Sequence, residues 1–166
     1  MQLATEEGSN RRRKAVKLLA KIHQKVRRQR QDFHHKTALS LVRQYDTIYY
    51  EGLQTANMLR NHHLAKSIQD AGWSQFLCIL SFKAAYAGRT VVAVPPAFTT
   101  QRCSGCRRVV SKGLSVRWQR CPYGDCGISL HRDENAAWNI LALGKKQSGA
   151  GRAPQALTWS GGTSVA

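Results

Sequence analysis

Residues 99–126 read TTQRCSGCRRVVSKGLSVRWQRCPYGDC, and this stretch decides how the rest of the chain is organised. Cys103-Ser-Gly-Cys106 has the knuckle spacing that lets two thiolates face one ion. Fourteen residues further on, Cys121-Pro-Tyr-Gly-Asp-Cys126 supplies a second pair at a wider but allowed spacing. Four thiolates at about 2.3 Å satisfy tetrahedral Zn²⁺ and leave no open position, so the segment reads as a zinc ribbon over 99–130, structural rather than catalytic. Its binding energy would fold a segment too poor in apolar side chains to fold alone. A metal-free loop or a redox pair is the competing reading.

Working back from the ribbon, Thr90-Val-Val-Ala-Val94 is a short buried strand that Pro95-Pro96 must end. Before it, Ala65–Ala87 carries Ile68, Ala71, Phe76, Ile79, Leu80 and Phe82 at helical spacing. That predicts one core helix stopping at Gly88, with Trp73 and Leu77 adding bulk and Cys78 a small buried hydrophobe. Tyr45–Tyr50 predicts a strand ending at Glu51-Gly52. Earlier still, Arg11–Arg43 holds twelve Lys or Arg, one acid (Asp32) and no Pro or Gly. Leu19, Val26 and Phe33, with Val16 and Ile22 beside them, draw a narrow apolar stripe on one long helix or a broken pair. Helix, strand, helix, strand is the rhythm of an α/β layer. The cations Arg11, Arg12, Arg13, Lys14, Lys17, Lys21, Lys25, Arg27, Arg28 and Arg30 have almost no acid partners one turn away, so a phosphate-facing surface is expected in preference to a merely solvated one.

Beyond the ribbon, Glu134–Leu143 (ENAAWNILAL) predicts a short helix within a 131–144 segment, and the Gly/Ser-rich 145–166 predicts a disordered tail. Residues 1–10 form a lead, and 11–98 hold the basic helices and the α/β part. The whole chain is 166 residues with a formal net charge of +17 and 42% hydrophobic residues. That leaves room for one modest domain with an appendage and excludes a large multidomain enzyme or a disordered chain. The charge calls for a polyanion, nucleic acid ahead of an anionic membrane. No apolar run approaches the roughly 18 residues of a membrane helix, and Met1–Asn10 lacks a secretory layout. The expected setting is soluble and cytoplasmic, where cysteines serve metal rather than disulfides.

Two acids stand out, Glu51 at a strand end and Asp133 just before a helix. Pairs of Mg²⁺ or Mn²⁺ ions are held by carboxylates brought together from different elements. An acid in either position is more often a turn former or a cap, and Asp133 could simply cap the Glu134–Leu143 helix. In a chain with nine acids, an acid among cations weakens the fit to a polyanion unless a metal sits on it.

The ordered series Tyr50-Glu51-Gly52-Leu53, Asn57-Met58, 61–68 (NHHLAKSI), Ala71-Gly72-Trp73, 99–106 (TTQRCSGC) and 132–141 (RDENAAWNIL) resembles the C-terminal half of the TnpB (OrfB) family. These are insertion-sequence transposase-family proteins understood as RNA-guided DNA nucleases and related to type V CRISPR effectors. The resemblance runs from about Arg11 to Gly144. It implies a RuvC-like, RNase H-type nuclease fold with an inserted ribbon, Glu51 and Asp133 as the second and third catalytic carboxylates, Mg²⁺ or Mn²⁺ as cofactor, and DNA and a guide RNA as partners. The family's first Asp lies in an earlier strand that this chain does not contain, and the upstream guide-binding domains are missing too. His131 and Gly52 stand where the family often has Asp. The resemblance therefore implies a nucleic-acid-binding fragment, inactive alone, whose missing half another polypeptide could supply. A non-catalytic zinc-ribbon binding module and an inert remnant of a transposase gene are the alternatives.

Overall fold

The computed structural model of the protein describes residues 8–113 and 115–149. The first element, α1 (Asn10–Gln44), is a single unbroken helix. At 1.5 Å per residue it is about 50 Å long. Ser9 starts it by accepting the Arg12 N–H at 3.3 Å, and the backbone turns extended at Tyr45. Only His34, Ala38 and Val42, spaced one turn apart, are buried. The expected stripe is not the packed face: Val16, Leu19, Ile22, Val26 and Phe33 are all about half exposed or more. Packing uses the small Ala38 instead, because a small side chain lets the neighbouring helix approach closely.

β1 (Thr47–Glu51) follows, then α2 (Thr55–Met58), α3 (His62–Ala71) and α4 (Trp73–Tyr86), then β2 (Thr90–Val94). β1 and β2 are parallel, with Thr47 opposite Thr90 and Glu51 opposite Val94. This is a βαβ unit, in which a long crossover, here helical, lets the second strand run in the same direction as the first. The single helix expected over Ala65–Ala87 is two. Gly72 adopts a left-handed φ of +61° between α3 and α4, and a Cβ there would lie 3.1 Å from His34 Cε1. Glycine meets both demands at once.

The core joins Ala38 and Val42 of α1 to Leu80 and Ala84 of α4, with Phe76, Ile79, Ile48 and Val91 packed against them. Phe82, expected in the core, is 73% exposed, and Cys78 is exposed rather than buried. Both lie on the side of α4 turned away from α1. Successive strand residues alternate faces. Thus Ile48 meets the α1–α4 cluster while Tyr49 meets the last helix, and β1–β2 forms the middle of three layers.

A separate two-stranded antiparallel sheet, β3 (Trp118–Arg120) with β4 (Ser129–His131), forms the ribbon together with a bridge between Arg102 and Val109. The final helix, α5 (Arg132–Gly149), contacts both sheets. It continues five residues past the point where the tail was expected to begin. Gly144 gives the Tyr49 ring a seat that any Cβ would fill, and Tyr49 Oη and Ser148 Oγ are 3.0 Å apart. The remainder of that expected tail, 150–166, and residues 1–7 of the lead lie outside the described residues.

Candidate functional site

The ribbon is built on two knuckles. In the first, Cys103 N–H donates to Arg108 O at 2.9 Å and Arg107 N–H donates back to Cys103 O at 3.0 Å. In the second, Cys121 N–H donates to Ile128 O (2.8 Å) and Cys126 N–H to Tyr123 O (3.0 Å). These turns bring the four sulfurs within 4.8 Å of one another, with Cys103–Cys126 at 3.7 Å and Cys106–Cys121 at 3.6 Å. A tetrahedral ion with bonds of about 2.3 Å has sulfur–sulfur edges of about 3.8 Å, so the cluster fits a metal ion of that kind. A Cβ at Gly105 would collide with Ile128 and sit 3.1 Å from the Cys126 sulfur, which makes glycine part of the cradle.

The sulfurs are not equivalent. Burial works against ionising Cys103, yet the N–H groups of Cys106 and Gly105, with the sulfurs of Cys126 and Cys106, bring its thiol down to about 7. Burial pushes Cys121 up to about 12. Four thiolates this close repel one another strongly unless a cation sits among them. The rest of the ribbon interior is polar too. Gln119, 2% exposed, accepts from Lys112 Nζ, and burial first, then Arg132, lower the pKa of Lys112.

Two asparagines, absent from the sequence-based site, join the ribbon to α5. Asn135 Oδ1 accepts from Ser104 N–H (2.8 Å) and its Nδ2 donates to Arg102 O (2.8 Å). Asn139 Nδ2 donates to Thr99 O (2.9 Å) and Arg102 O (2.6 Å), while its Oδ1 accepts from Arg107 (2.9 Å). Both are 1% exposed. Asparagine is a poor residue for a helix interior. Two of them four residues apart in an alanine-rich helix are the signal that could have exposed this clamp.

Glu51 ends β1, half-buried, and its carboxylate accepts a hydrogen bond from Thr99 Oγ1. Asp133 is exposed in the first turn of α5, one residue inside the helix rather than before it. His131 Nδ1 accepts the Asp133 N–H at 3.4 Å and lies 3.7 Å from its carboxylate. Ser148 and Gly144 sit on Tyr49 while Asn139 sits on Thr99, the partner of Glu51. Helix α5 therefore runs antiparallel to β1, and its first turn lies toward the end of the sheet where Glu51 stands. Asp133 is six residues beyond Asn139, about 9 Å along the helix axis. Among the described residues the four cysteines are the only group of three or more His, Cys, Asp or Glu close enough to share one ion.

The expected cations from Arg11 to Arg28 line the part of α1 where no residue is buried. Lys36 pairs with Asp32 at 2.7 Å and Arg30 with Asp70 at 3.3 Å, so Arg30 is partly engaged within the fold. No helix among the described residues is long and apolar enough to cross a membrane.

The family described as "Cas12f1-like, TNB domain" matches residues 73–140, and the family described as "Probable transposase" matches residues 3–62. A protein of Streptomyces pristinaespiralis, named a candidate RNA-guided DNA endonuclease, is 39% identical over 147 residues, covering 87% of this chain and 36% of that protein. TnpB-like protein L79 of Acanthamoeba polyphaga mimivirus is 31% identical over 145 residues, 84% of this chain and 27% of its own length. The cryo-EM structure of a Cas12f1–sgRNA–target DNA complex superposes with a TM-score of 0.57 at 20% identity, covering 78% of this chain and 38% of that one. This last likeness shows a shared fold. The chain spans about a third of the length of the curated relatives it matches.

Proposed function

We propose that this chain, a relative of the TnpB-like transposases and RNA-guided DNA endonucleases, is the nucleic-acid-binding C-terminal portion of such a protein. In this reading β1, β2 and α5 belong to a RuvC-like, RNase H-type nuclease domain, and the four-cysteine ribbon carries a structural Zn²⁺. The supporting observation is the register of α5 against β1. With Asn139 on Thr99 and Thr99 on Glu51, the first turn of α5, which carries Asp133, lies on the Glu51 side of the sheet, and this supports reading the two acids as a pair. Phosphodiester-cleaving sites draw their metal-holding carboxylates from separate elements in this way.

Glu51 and Asp133 are the residues that would hold Mg²⁺ or Mn²⁺, which when bound supplies Lewis-acid polarisation of a phosphate and its attacking water. The protein's own contribution is placement. Thr99 fixes the Glu51 carboxylate, and the asparagine clamp fixes Thr99 relative to α5. Two carboxylates clamp the ions less firmly than three, so these residues by themselves are proposed to bind nucleic acid without cutting it. DNA and a guide RNA are the proposed partners, the α1 cations the proposed phosphate contacts, and the cytoplasm the proposed setting. A binding module with no catalytic role is the second reading: among the described residues, the four cysteines are the only group of three or more His, Cys, Asp or Glu close enough to share one ion.

Binding is tested by fluorescence anisotropy of a labelled single strand across a salt series. Release of condensed counterions makes the logarithm of affinity fall linearly with that of salt, by about 0.7 per phosphate neutralised. With six or more contacts the expected slope is about −4 or steeper. A flat dependence would reject phosphate contact.

A further inference from the structure

The two knuckles share a backbone requirement and meet it with different residues. Immediately after the second cysteine of each pair the chain enters the left-handed region, at Gly127 (φ +58°) in one and Arg107 (φ +64°) in the other. A side chain is costly in that conformation, and glycine is the residue that enters it freely. The first knuckle thus keeps an arginine where the equivalent turn uses glycine. Its guanidinium is held by the buried Asn139 Oδ1 at 2.9 Å, and the neighbouring Arg102 guanidinium donates to Arg107 O at 3.2 Å.

Arg107 forms a wall shared by two adjoining cavities along α5, of about 520 and 470 Å³. The first also holds Arg102, Lys146 and Phe98, the second Lys145 and Trp138, and no acid lines either. Phe98 is the other non-glycine residue with a positive φ (+61°) among the described residues, and it is 55% exposed. Trp138 is 53% exposed. Cations between two exposed rings match what a single nucleic-acid strand offers, a phosphodiester between two bases. An apolar small molecule would leave the positive charge of these groups without an anion, since Asn139 Oδ1 and Arg107 O are neutral acceptors.

We propose that this paired cavity is a single-strand subsite, with a phosphodiester on Arg102, Arg107 and Lys146, a base stacked on Phe98 and the adjacent base on Trp138. The subsite rests on the nucleic-acid reading above and extends it. Thr99, which lines the Phe98 cavity, also bonds Glu51, so one wall of the cavity adjoins the carboxylate at the end of β1. Asn139 is a positioning residue that aims Arg107.

The test uses the zinc-loaded full chain and labelled oligothymidylate and oligouridylate, which separate a DNA from an RNA occupant. Arg107→Gly should lower affinity about tenfold and reduce the salt slope by about 0.7. It should also retain zinc against a chelator at least as well as the parent, because the turn relaxes and water reaches Asn139 Oδ1 through the open cavity. A purely structural arginine would instead lose zinc. Phe98→Ala, which keeps the same backbone demand, should cost about fivefold or more, and Phe98→Trp should restore binding. Lys146→Gln, on the exposed last turn of α5, provides a variant remote from the knuckle. If Arg107→Gly, Phe98→Ala and Lys146→Gln all bind like the parent while Arg27→Gln/Arg28→Gln weakens binding, the subsite is wrong and the broader reading stands. If the parent itself does not bind, both fall.

Discussion

The α/β layer and the ribbon each contain a two-stranded sheet, and they are held together by opposite means. In the layer, Ala38, Val42, Leu80 and Ala84 are no more than 4% exposed and clamp β1–β2 from one side. In the ribbon, Val109, Val116 and Trp118 face water, and the buried groups are Cys103, Cys121 and Gln119. A two-stranded sheet is marginal alone. The difference shows that one sheet leans on an apolar core and the other on sulfur chemistry, with the asparagine clamp as the joint between them. The two should therefore fail separately.

The largest expected separation comes from Cys121→Ser. Structural zinc contributes roughly 10–16 kcal/mol in isolated ribbon-like peptides. The variant should lose stoichiometric zinc, and hydrogen exchange should show Gln119 and Leu130 unprotected while Val91 and Val92 stay protected. Equal loss in both regions would erase the comparison. Leu80→Ala tests the converse. It should cost about 2–5 kcal/mol of stability, measured by thermal or denaturant unfolding, with zinc content still one per chain. Gly144→Ala forces a methyl into the Tyr49 ring and should cost about 1–3 kcal/mol by overpacking, again without loss of zinc.

The smallest effect is a pH dependence confined to the ribbon. Protons compete with metal for thiolates. Cys103, lowered to about 7 in the metal-free fold, favours folding fully above its ordinary value, and that contribution is lost as the pH falls through about 7. Cys121, raised to about 12, acts with the opposite sign and only in alkali. Zinc retention against a colorimetric chelator should therefore decline as the pH drops, and more steeply below about 7, where Cys103 takes up a proton as well, while the unfolding of a zinc-stripped Leu80-centred layer should not follow that curve.

Much of this organisation is legible in the sequence, for physical reasons. Thr90–Val94 is a strand with the expected limits because a β-branched run closed by Pro95-Pro96 has little alternative. The cysteine cluster follows from spacing, since short turns dictate where the sulfurs point. Other features depend on partners distant in sequence. Gly72 breaks the helix where His34 leaves no room, and the working face of α1 is His34–Ala38–Val42 because α4 fits against alanine. The stripe through Leu19 and Val26 has the stronger apolar pattern and no cover among the described residues. Asn135 and Asn139 stand out as poor helix-interior residues, but what they bind is set only when the carbonyls of Thr99 and Arg102 are brought to them.

This chain is proposed to grip nucleic acid and, with Glu51 and Asp133 as its candidate carboxylates, not to cut it unaided. Incubating the zinc-loaded chain with end-labelled single-stranded DNA and Mg²⁺, then running native and denaturing gels side by side, tests both parts at once. A retarded band on the native gel with full-length DNA on the denaturing gel is the predicted result. Cleavage products that disappear in Asp133→Ala, or DNA that is not retarded at all, would contradict it.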